Sequence, residues 1–344
     1  MTPFSRMPRG LGILAPDIAS PAGTRMPRLV LATRGSKLAL RQAEIVASLI
    51  TSAHPGVTID VRVVKTTGDK DARPFAQIGG KGLFTSEVER EVAEGRADLA
   101  VHSAKDLTSA VASGCVIAAV PVRERVEDVI VGGTGSAQER LSNIAPGARI
   151  GTSSIRRRAL LAETRPDVDA VEFRGNLDTR LRKIADGVVD GALLAAAGIV
   201  RLGMWEAADP APLEPTWWVP PPGQGALAIE AREDRTDVIE LLSVLDDPEA
   251  RATLEAERAF SARLEGGCSV PLGCFAQVVG ERLVVTGYLG HPSGTNSIRD
   301  RISGGLPDAR DIGVELAEAI IAGGGDDILE ELEGSDTRAP GSGR

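Results

Sequence analysis

Short apolar runs alternate with helical patterns along most of the chain, and this alternation restricts the possible folds more than any other feature. Residues 28–33 are typical of a buried strand and 38–52 of an amphipathic helix, while 57–64 alternate apolar and polar side chains as a strand does. The same order restarts after a glycine-rich segment at 132–136, with a strand at 149–152. The sequence therefore predicts two α/β units in tandem.

The same pattern predicts further elements in both units. Helices are expected at 84–94, 155–163 and 177–185, and strands at 97–101, 115–120, 168–173 and 192–195. A third, α+β unit is expected after the proline-rich segment at 217–225. There, Asp247 and Pro248 favour the start of a helix that should end near Leu264, before two glycines. Strands at 282–289 and 298–302 and a helix at 308–322 complete this unit.

Composition excludes several classes of function. At 344 residues the chain has room for two or three domains. A net charge of −9 and an aromatic content of 3% argue against a nucleic-acid partner. No apolar run reaches the roughly 18 residues that span a bilayer, so no membrane partner is expected. The three cysteines form no CxxC pair and there are three histidines, so we expect no metal site and a reducing cytoplasm.

Basic residues cluster where strands are predicted to lead into helices. Between 149 and 183 there are nine Lys or Arg against five Asp or Glu. Thr152, Ser153 and Ser154 precede a helix that carries Arg156 and Arg157, so hydroxyls, backbone N–H groups and guanidinium groups should meet there. An arginine run is also typical of a solvated helix face. Two other junctions repeat the arrangement, with Arg34 and Ser36 at one and with Arg174, Gly175 and Arg180 at the next. Together they predict a cleft for a polyanion.

Two further segments carry candidate functional residues. His102, Lys105 and Asp106 follow an apolar strand, at the edge where open α/β sheets bind ligands. The alternative is that Asp106 caps a turn and that His102 is a hydrogen-bonded core residue. The glycine-rich segment around Lys81 is either a mobile turn or a loop that covers a ligand, and it lacks the residue order of a phosphate-binding loop.

Cys268 follows two glycines just beyond a predicted helix end. The glycines remove side-chain bulk and permit positive φ, so the thiol can be reached. Such a thiol is either a small packing residue or a nucleophile or attachment point for a covalent group. The local sequence leaves both readings open.

The order of these segments resembles that of the porphobilinogen deaminases, also called hydroxymethylbilane synthases. The resemblance covers about residues 28 to 333 and rests on six motifs: GGKGLF at 79–84, VHS and KD within 101–106, GTSSIRR at 151–157, RGN at 174–176, GQGA at 223–226 and EGGC at 265–268. It implies polymerisation of four porphobilinogen units into a linear tetrapyrrole on a dipyrromethane cofactor, attached to Cys268 by a thioether.

The resemblance also implies a fold and a domain organisation. Two tandem α/β domains similar to type II periplasmic binding proteins should be followed by a C-terminal α+β domain that carries the cofactor cysteine. We expect a disordered extension at 1–25, a first domain at 26–122 and 225–244, a second at 127–219, a third at 247–333 and a loose tail at 334–344. The family further suggests a monomer.

Site residues are implied one by one. Asp106 should be the catalytic carboxylate. The residues implied to hold the cofactor, besides Cys268, are Lys105, Asp106, Thr152, Ser153, Ser154, Arg156, Arg157, Arg174 and Gly175. Those implied to bind substrate are Arg34, Ser36, Lys81, Phe84, Arg174, Arg180 and Gln224. The sequence departs from the family pattern beside Asp106, where Leu107 and Thr108 replace the usual Val-Pro.

Two other classes of protein would explain part of the pattern. A noncatalytic anion-binding module accounts for the tandem α/β units and the arginine turns, but gives Cys268 no role. A cysteine hydrolase would use Cys268, but its base would have to be His102 or His291, and neither lies in a recognisable nucleophile context. Intact mass separates the three hypotheses, because a bound dipyrromethane, an unmodified chain and a trapped acyl group differ in mass.

Overall fold

The computed structural model describes residues 28–70, 82, 85–264 and 270–336. Thirteen strands fall in this part of the chain: β1 Arg28–Arg34, β2 Thr58–Val64, β3 Leu99–Ser103, β4 Cys115–Ala119, β5 Asp128–Val131, β6 Arg149–Gly151, β7 Asp169–Val171, β8 Gly191–Ala195, β9 Ala211–Pro212, β10 Leu227–Arg232, β11 Leu272–Val279, β12 Arg282–Gly290 and β13 Ser297–Gly305.

Twelve α-helices accompany these strands in the described residues: α1 Lys37–Ala53, α2 Thr67–Lys70, α3 Ser86–Ala93, α4 Ala137–Asn143, α5 Ile155–Thr164, α6 Leu177–Ala185, α7 Ala196–Arg201, α8 Trp205–Ala208, α9 Thr236–Ser243, α10 Pro248–Arg263, α11 Ala309–Ile320 and α12 Asp326–Asp336. Single 3₁₀ turns occur at Ala104–Asp106 and Leu306–Asp308, and a π-helical turn at Ile321–Gly325 joins the last two helices.

The first two sheets have the same topology. The strand orders are β2-β1-β3-β10-β4 and β7-β6-β8-β5-β9. In each sheet the first three strands are parallel, and the fourth, β10 or β5, runs antiparallel to its neighbours. The fold prediction of two tandem α/β domains with a smaller third one is confirmed.

The chain crosses between these sheets twice, and the two crossings lie side by side. The first crossing leads from β4 to β5, and the second returns from the second sheet to β10 in the first. Backbone N of Glu124 donates to the carbonyl of Gly225 at 3.1 Å, which joins the crossings directly. The antiparallel strand of each sheet is therefore supplied by a crossing.

The third unit is an antiparallel sheet, β11-β12-β13, with α10 and α11 packed against it. Its core is apolar and includes Phe260, Val285 and Leu316. The predicted helix start is confirmed, since the Asp247 carboxylate accepts from backbone N of Ala250 at 2.8 Å and Pro248 is the first residue of α10. Helix α12 extends to Asp336, which lies in the stretch expected to be a loose tail.

Glu257 of α10 attaches the third unit to both crossings. Its carboxylate accepts two hydrogen bonds of 2.8 Å from the guanidinium of Arg123 in the first crossing. It also accepts from backbone N of Gly223 in the second crossing at 2.6 Å and from backbone N of Ala276 in β11 at 2.8 Å. Because Glu257 is fully buried, these four bonds replace all of its contact with water.

Candidate functional site

A cleft of about 1000 Å³ lies where the carboxyl ends of strands from the first two sheets face each other. Strands β1, β3 and β8 all end at its wall. Among the described residues, the charged groups that line it are Arg34, Lys37, Lys65, Lys105, Arg157, Arg174, Arg180 and Arg201 with only Asp106 and Asp178. In a chain with a net charge of −9, this concentration of cations fits a polyanionic ligand.

Two helices point their N-terminal ends at the cleft. Ser36, the N-cap of α1, accepts a hydrogen bond from backbone N of Ala39 at 3.2 Å and lines the cleft. Asn176, the N-cap of α6, lines it from the second sheet. Helix N-termini carry partial positive charge and favour anions, so the helices reinforce the basic side chains.

Arg174, Gly175 and Arg180 meet at the junction of β7 and α6, as predicted. The Arg180 Nε donates to the carbonyl of Gly175 at 2.8 Å, and the Arg174 Nε donates to the Glu172 carboxylate at 3.1 Å. Burial and the positive charge of Arg157 lower the pKa of Arg180 to about 10. An anion in the cleft would relieve this repulsion between the guanidinium groups.

Lys105 and Asp106 lie on the 3₁₀ turn that follows β3, and both side chains are exposed in the cleft. The turn packs against the second crossing, where backbone N of Ala104 donates to the carbonyl of Ala226 at 3.0 Å. Gly223 permits this approach, because its φ is +74° and a Cβ there would lie 2.9 Å from backbone N of Lys105. The glycine of the GQGA motif thus helps to place the Asp106 turn.

The cleft environment changes the acidity of Lys105. Removal of surrounding water and the charge of Arg157 lower its pKa to about 8, against the opposing effect of Asp106 and Asp128. Part of the side chain is exposed in the cleft, while the surrounding protein keeps water from the rest. Lys105 can therefore change charge near neutral pH, which an ordinary lysine does not do.

A buried carboxylate, that of Asp128, holds arginine side chains in position behind the wall of the cleft. Asp128, at the start of β5, is fully buried and accepts hydrogen bonds from Arg156 and Arg157 at 2.6 Å each. It also accepts from Trp218 Nε1 at 3.1 Å and Gln224 Nε2 at 2.9 Å. Burial alone would raise the pKa of Asp128, but the charges of Arg156 and Arg157 hold it well below its usual range.

The Asp128 network extends to the turn that carries Lys105 and Asp106. Gln224 Nε2 donates to the carbonyl of Val126 at 2.7 Å as well as to Asp128, which fixes its amide orientation. The Gln224 Oε1 then accepts from Lys105 Nζ at 3.2 Å. The network thus connects Arg157 on one side of the cleft with Lys105 on the other.

The structure does not bring every predicted residue to the cleft. The lining formed by described residues leaves out Thr152, Ser153, Ser154, Arg156 and Gln224. Thr152, Arg156 and Gln224 are buried, the Ser153 hydroxyl donates to the carbonyl of Phe173 at 2.9 Å, and Ser154 caps α5. These residues support the position of Arg157 and of the turns, and a direct contact with a ligand stays a prediction for them.

Several cleft residues were not predicted. Arg201 lies at the C-terminal end of α7 and donates to the carbonyl of Gly225 at 2.7 Å, and burial lowers its pKa to about 10. Lys37 of α1 and Asp178 of α6 form an ion pair of 2.6 Å between the two sides of the cleft. The pattern of arginines at helix starts does not predict Arg201, because this residue lies at a helix end.

Three of the predicted site residues lie outside the described residues: Lys81, Phe84 and Cys268. The other two cysteines, Cys115 and Cys274, are buried and unpaired. The described segments contain no cluster of metal-ligating side chains and no helix long and apolar enough to cross a membrane. His102 is buried in the core and lies 2.9 Å from the Glu230 carboxylate, as the alternative reading of that residue expected.

Two family models match the chain in succession. The model for the dipyrromethane cofactor-binding domain of porphobilinogen deaminase matches residues 29–240, and the model for its C-terminal domain matches residues 252–322. The chain belongs to the porphobilinogen deaminase family.

Relatives in this family match over nearly their whole length. Porphobilinogen deaminase of Nitratidesulfovibrio vulgaris (strain Miyazaki F) is 44% identical over 317 residues, which cover 90% of this chain and 98% of that protein. Porphobilinogen deaminase of Syntrophus aciditrophicus (strain SB) is 44% identical over 305 residues, which cover 88% and 98%. A solved TRAP periplasmic solute-binding protein from Desulfovibrio salexigens is 13% identical, with a TM-score of 0.41 over 65% of this chain and 73% of that one.

Proposed function

We propose that the protein is a transferase of tetrapyrrole biosynthesis that deaminates four porphobilinogen molecules and joins them head to tail into hydroxymethylbilane. Membership of the porphobilinogen deaminase family supports this activity. The observation in the structure that carries the proposal is the basic cleft in which Lys105 and Asp106 lie next to each other on the turn after β3. A purely anion-binding module would need the cations but not the carboxylate.

The arginines of the cleft are proposed to bind the carboxylates of the substrate. Each porphobilinogen pyrrole carries an acetate and a propionate, so a chain of pyrroles presents several carboxylates in a row. Arg34 approaches from the first sheet and Arg157, Arg174 and Arg180 from the second. Guanidinium groups bind carboxylates with two parallel hydrogen bonds, which orients a ligand as well as attracting it.

Asp106 is proposed to be the catalytic carboxylate. Loss of ammonia from porphobilinogen leaves a cationic azafulvene, and an exposed carboxylate in the cleft stabilises that charge while it accepts a hydrogen bond from a pyrrole N–H. Lys105 on the same turn would bind a substrate carboxylate beside it. Because Gly223 and Ala226 hold this turn, one carboxylate can serve successive additions from a fixed position.

The dipyrromethane cofactor supplies the acceptor carbon to which the first porphobilinogen is joined. The residues present fit this group, since it too is a polycarboxylate and the cleft offers eight basic side chains in about 1000 Å³. We propose Cys268 as its attachment point and Arg157, Arg174 and Lys105 as residues that bind its carboxylates. Thr152, Ser153, Ser154 and Arg156 are proposed to hold these groups in place, and Gln224 to orient Lys105.

The domain boundaries, location and oligomeric state complete the proposal. The first domain would comprise 26–122 with 225–244, which includes β10, and the second 127–219, with the third beginning at Asp247. We expect a cytoplasmic monomer with porphobilinogen as its small-molecule partner and with no nucleic-acid or membrane partner, in keeping with the net charge of −9.

Intact mass spectrometry tests the attachment. Wild-type protein should carry the added mass of two linked pyrroles, and Cys268→Ala should not. Cys115→Ala and Cys274→Ala are matched controls, because both thiols are buried in other parts of the protein. An adduct that survives in Cys268→Ala, or an unmodified wild-type chain that only binds carboxylates reversibly, would contradict the proposal.

A further inference from the structure

Ionisable side chains are buried together beneath the Asp106 turn. Glu89 on α3, His102 on β3 and Glu230 on β10 are all less than a tenth exposed, and α3 packs against both strands. The His102 Nε2 lies 2.9 Å from Oε2 of Glu230. Two buried carboxyl groups thus share the neighbourhood of one imidazole.

The hydrogen bonds of this cluster are incomplete. Within the described part of the chain, no hydrogen bond of normal geometry reaches Oε1 of Glu89 or Oε1 of Glu230, although the Thr85 hydroxyl and the Cys115 thiol lie next to these carboxyl groups. A buried carboxylate oxygen without a donor costs much more free energy ionised than protonated. Two buried carboxyl groups beside one imidazole therefore favour a state in which one of them keeps its proton.

The surrounding charges agree with that state. Burial and the charge of Glu230 raise the pKa of Glu89, against the opposing effects of His102, the nearby Thr85 hydroxyl and Arg258 of α10. Cys115 of β4 faces the same cluster, and burial and Glu230 raise its pKa to about 12, against Arg232 of β10. Cys115 is therefore a neutral neighbour.

A small cavity of about 60 Å³ lies between His102, the one member of this cluster in its described lining, and the turn that carries Asp106, with Arg34 and Gln42 also in its wall. Its lining includes Thr85, His102, Ser103 and Asp106. A buried water needs about 10–15 Å³ of such space and two to four polar partners, so the cavity can hold a short chain of waters. It provides a polar path between the Asp106 carboxylate and His102.

We propose that Glu89, Glu230 and His102 form a buried proton-holding site that exchanges a proton with Asp106 through this cavity. The inference rests on the proposed function. When the C–N bond of porphobilinogen in its neutral amine form breaks, its electron pair leaves with nitrogen, and a proton from the site, passed through Asp106, completes the neutral ammonia that departs. The new C–C bond then releases a proton from the acceptor carbon, and this proton refills the site. Each addition leaves the site as it began.

Infrared spectroscopy of the cofactor-loaded protein tests the buried acid without reference to turnover. The wild-type spectrum near neutral pH should show the C=O stretch of a protonated carboxylic acid, shifted by ¹³C-glutamate labelling. Glu89→Gln should lose this band. Glu94→Gln, at the exposed C-cap of the same helix, should keep it.

Kinetics tests the exchange itself. Glu89→Gln keeps the shape of the protonated side chain but cannot release a proton, so kcat should fall about 10²-fold or more, within the range of about 10²–10⁴ known for positioned proton transfer. The KM for porphobilinogen should not change, because Glu89 does not line the cleft. Thr85→Val removes a hydroxyl from the cavity without changing charge or any helix-capping bond, and should lower kcat in the same way.

Three results would overturn the inference. If the wild-type spectrum lacks the band, or if the band persists in Glu89→Gln, then Glu89 is not a buried protonated acid. An unchanged kcat in both Glu89→Gln and Thr85→Val would show that the cluster has only a structural role. If Glu89→Gln does not fold, the infrared spectrum of the ¹³C-labelled wild-type protein and the kcat of Thr85→Val still test the proposal. Loaded wild-type protein that does not turn over porphobilinogen refutes the proposed function instead, while the infrared result on the site stands.

Discussion

Replacement of Asp128 by Asn should destabilise the protein strongly. The carboxylate accepts four hydrogen bonds, two of them from the buried guanidinium groups of Arg156 and Arg157. Asn retains one acceptor oxygen, but its NH₂ group would face donors, so about half of these bonds are lost and two like charges remain unbalanced. Breaking a buried ion pair by removing one partner costs about 3–5 kcal/mol. That is a large share of the 5–15 kcal/mol, roughly, by which proteins are stable.

Thermal unfolding measures this cost. At about 2–4 °C per kcal/mol for larger domains, Asp128→Asn should lower the Tm by about 6 to 20 °C. Asp169→Asn, at an exposed position in β7 of the same sheet, is the matched control and should change the Tm little. Affinity for a carboxylate-rich ligand should also fall in Asp128→Asn, because Arg157 and, through Gln224, Lys105 lose their common support.

The pH dependence has a definite sign. Since the pKa of Asp128 is lower in the folded protein than in the unfolded chain, its stabilisation is fully present above the unfolded value of about 3.9 and is lost as the pH falls through the folded value. The Tm difference between wild type and Asp128→Asn should therefore be constant near neutral pH and shrink only in acid. Equal Tm values for Asp128→Asn and Asp169→Asn would refute the reasoning.

Four more predictions concern the cleft and the crossings. Asp106→Asn should still bind porphobilinogen but should slow its addition about 10²-fold or more in single turnover followed by mass, whereas Asp106→Glu should retain measurable activity. Arg157→Leu should impair cofactor assembly. Arg157→Lys should restore it only in part, because lysine keeps the charge but lacks the paired N–H donors of the guanidinium group. Normal cofactor loading in Arg157→Leu would exclude a role of Arg157 in cofactor binding. With the pKa of Lys105 near 8, affinity for a polycarboxylate should decline as the pH rises through that value, and Lys105→Arg, titrated by calorimetry, should flatten the profile. Glu257→Gln should lower the Tm, since Arg123 loses its buried counter-charge; an unchanged melting curve would contradict that account.

Elements with a strong local signal were predicted well. Helix α6 has the predicted bounds, 177–185, and β1 agrees with its predicted strand to within one residue. Local signals sufficed there because amphipathic periodicity and a capping residue act within a few residues of one another. The strands β5, β10 and β11 were not predicted, since their short apolar runs have no regular period and form strands only through distant partners.

The candidate site shows the same division. Strand-to-helix junctions brought Arg34, Arg157, Arg174 and Arg180 to the cleft, as the sequence predicted from junction chemistry alone. The position of Arg156 could not be predicted in this way. Its partner is Asp128, which is 28 residues earlier and reaches it only because β5 lies between β8 and β9 in the second sheet. Likewise, the pairing of His102 with Glu230 joins residues 128 positions apart.

The position of β10 has a consequence for synthesis on the ribosome. This strand lies between β3 and β4, and β4 pairs with no other strand of the described chain. The first sheet therefore cannot be completed until Arg232 has emerged, whereas every strand of the second sheet has emerged by Pro212. Since contacts between distant residues form late and domains fold as units, the middle of the chain should fold before its beginning is complete. Until then, the N-terminal part of the nascent chain leaves the edges of β3 and β4 unpaired. Chaperones can bind these edges, and other chains can aggregate with them.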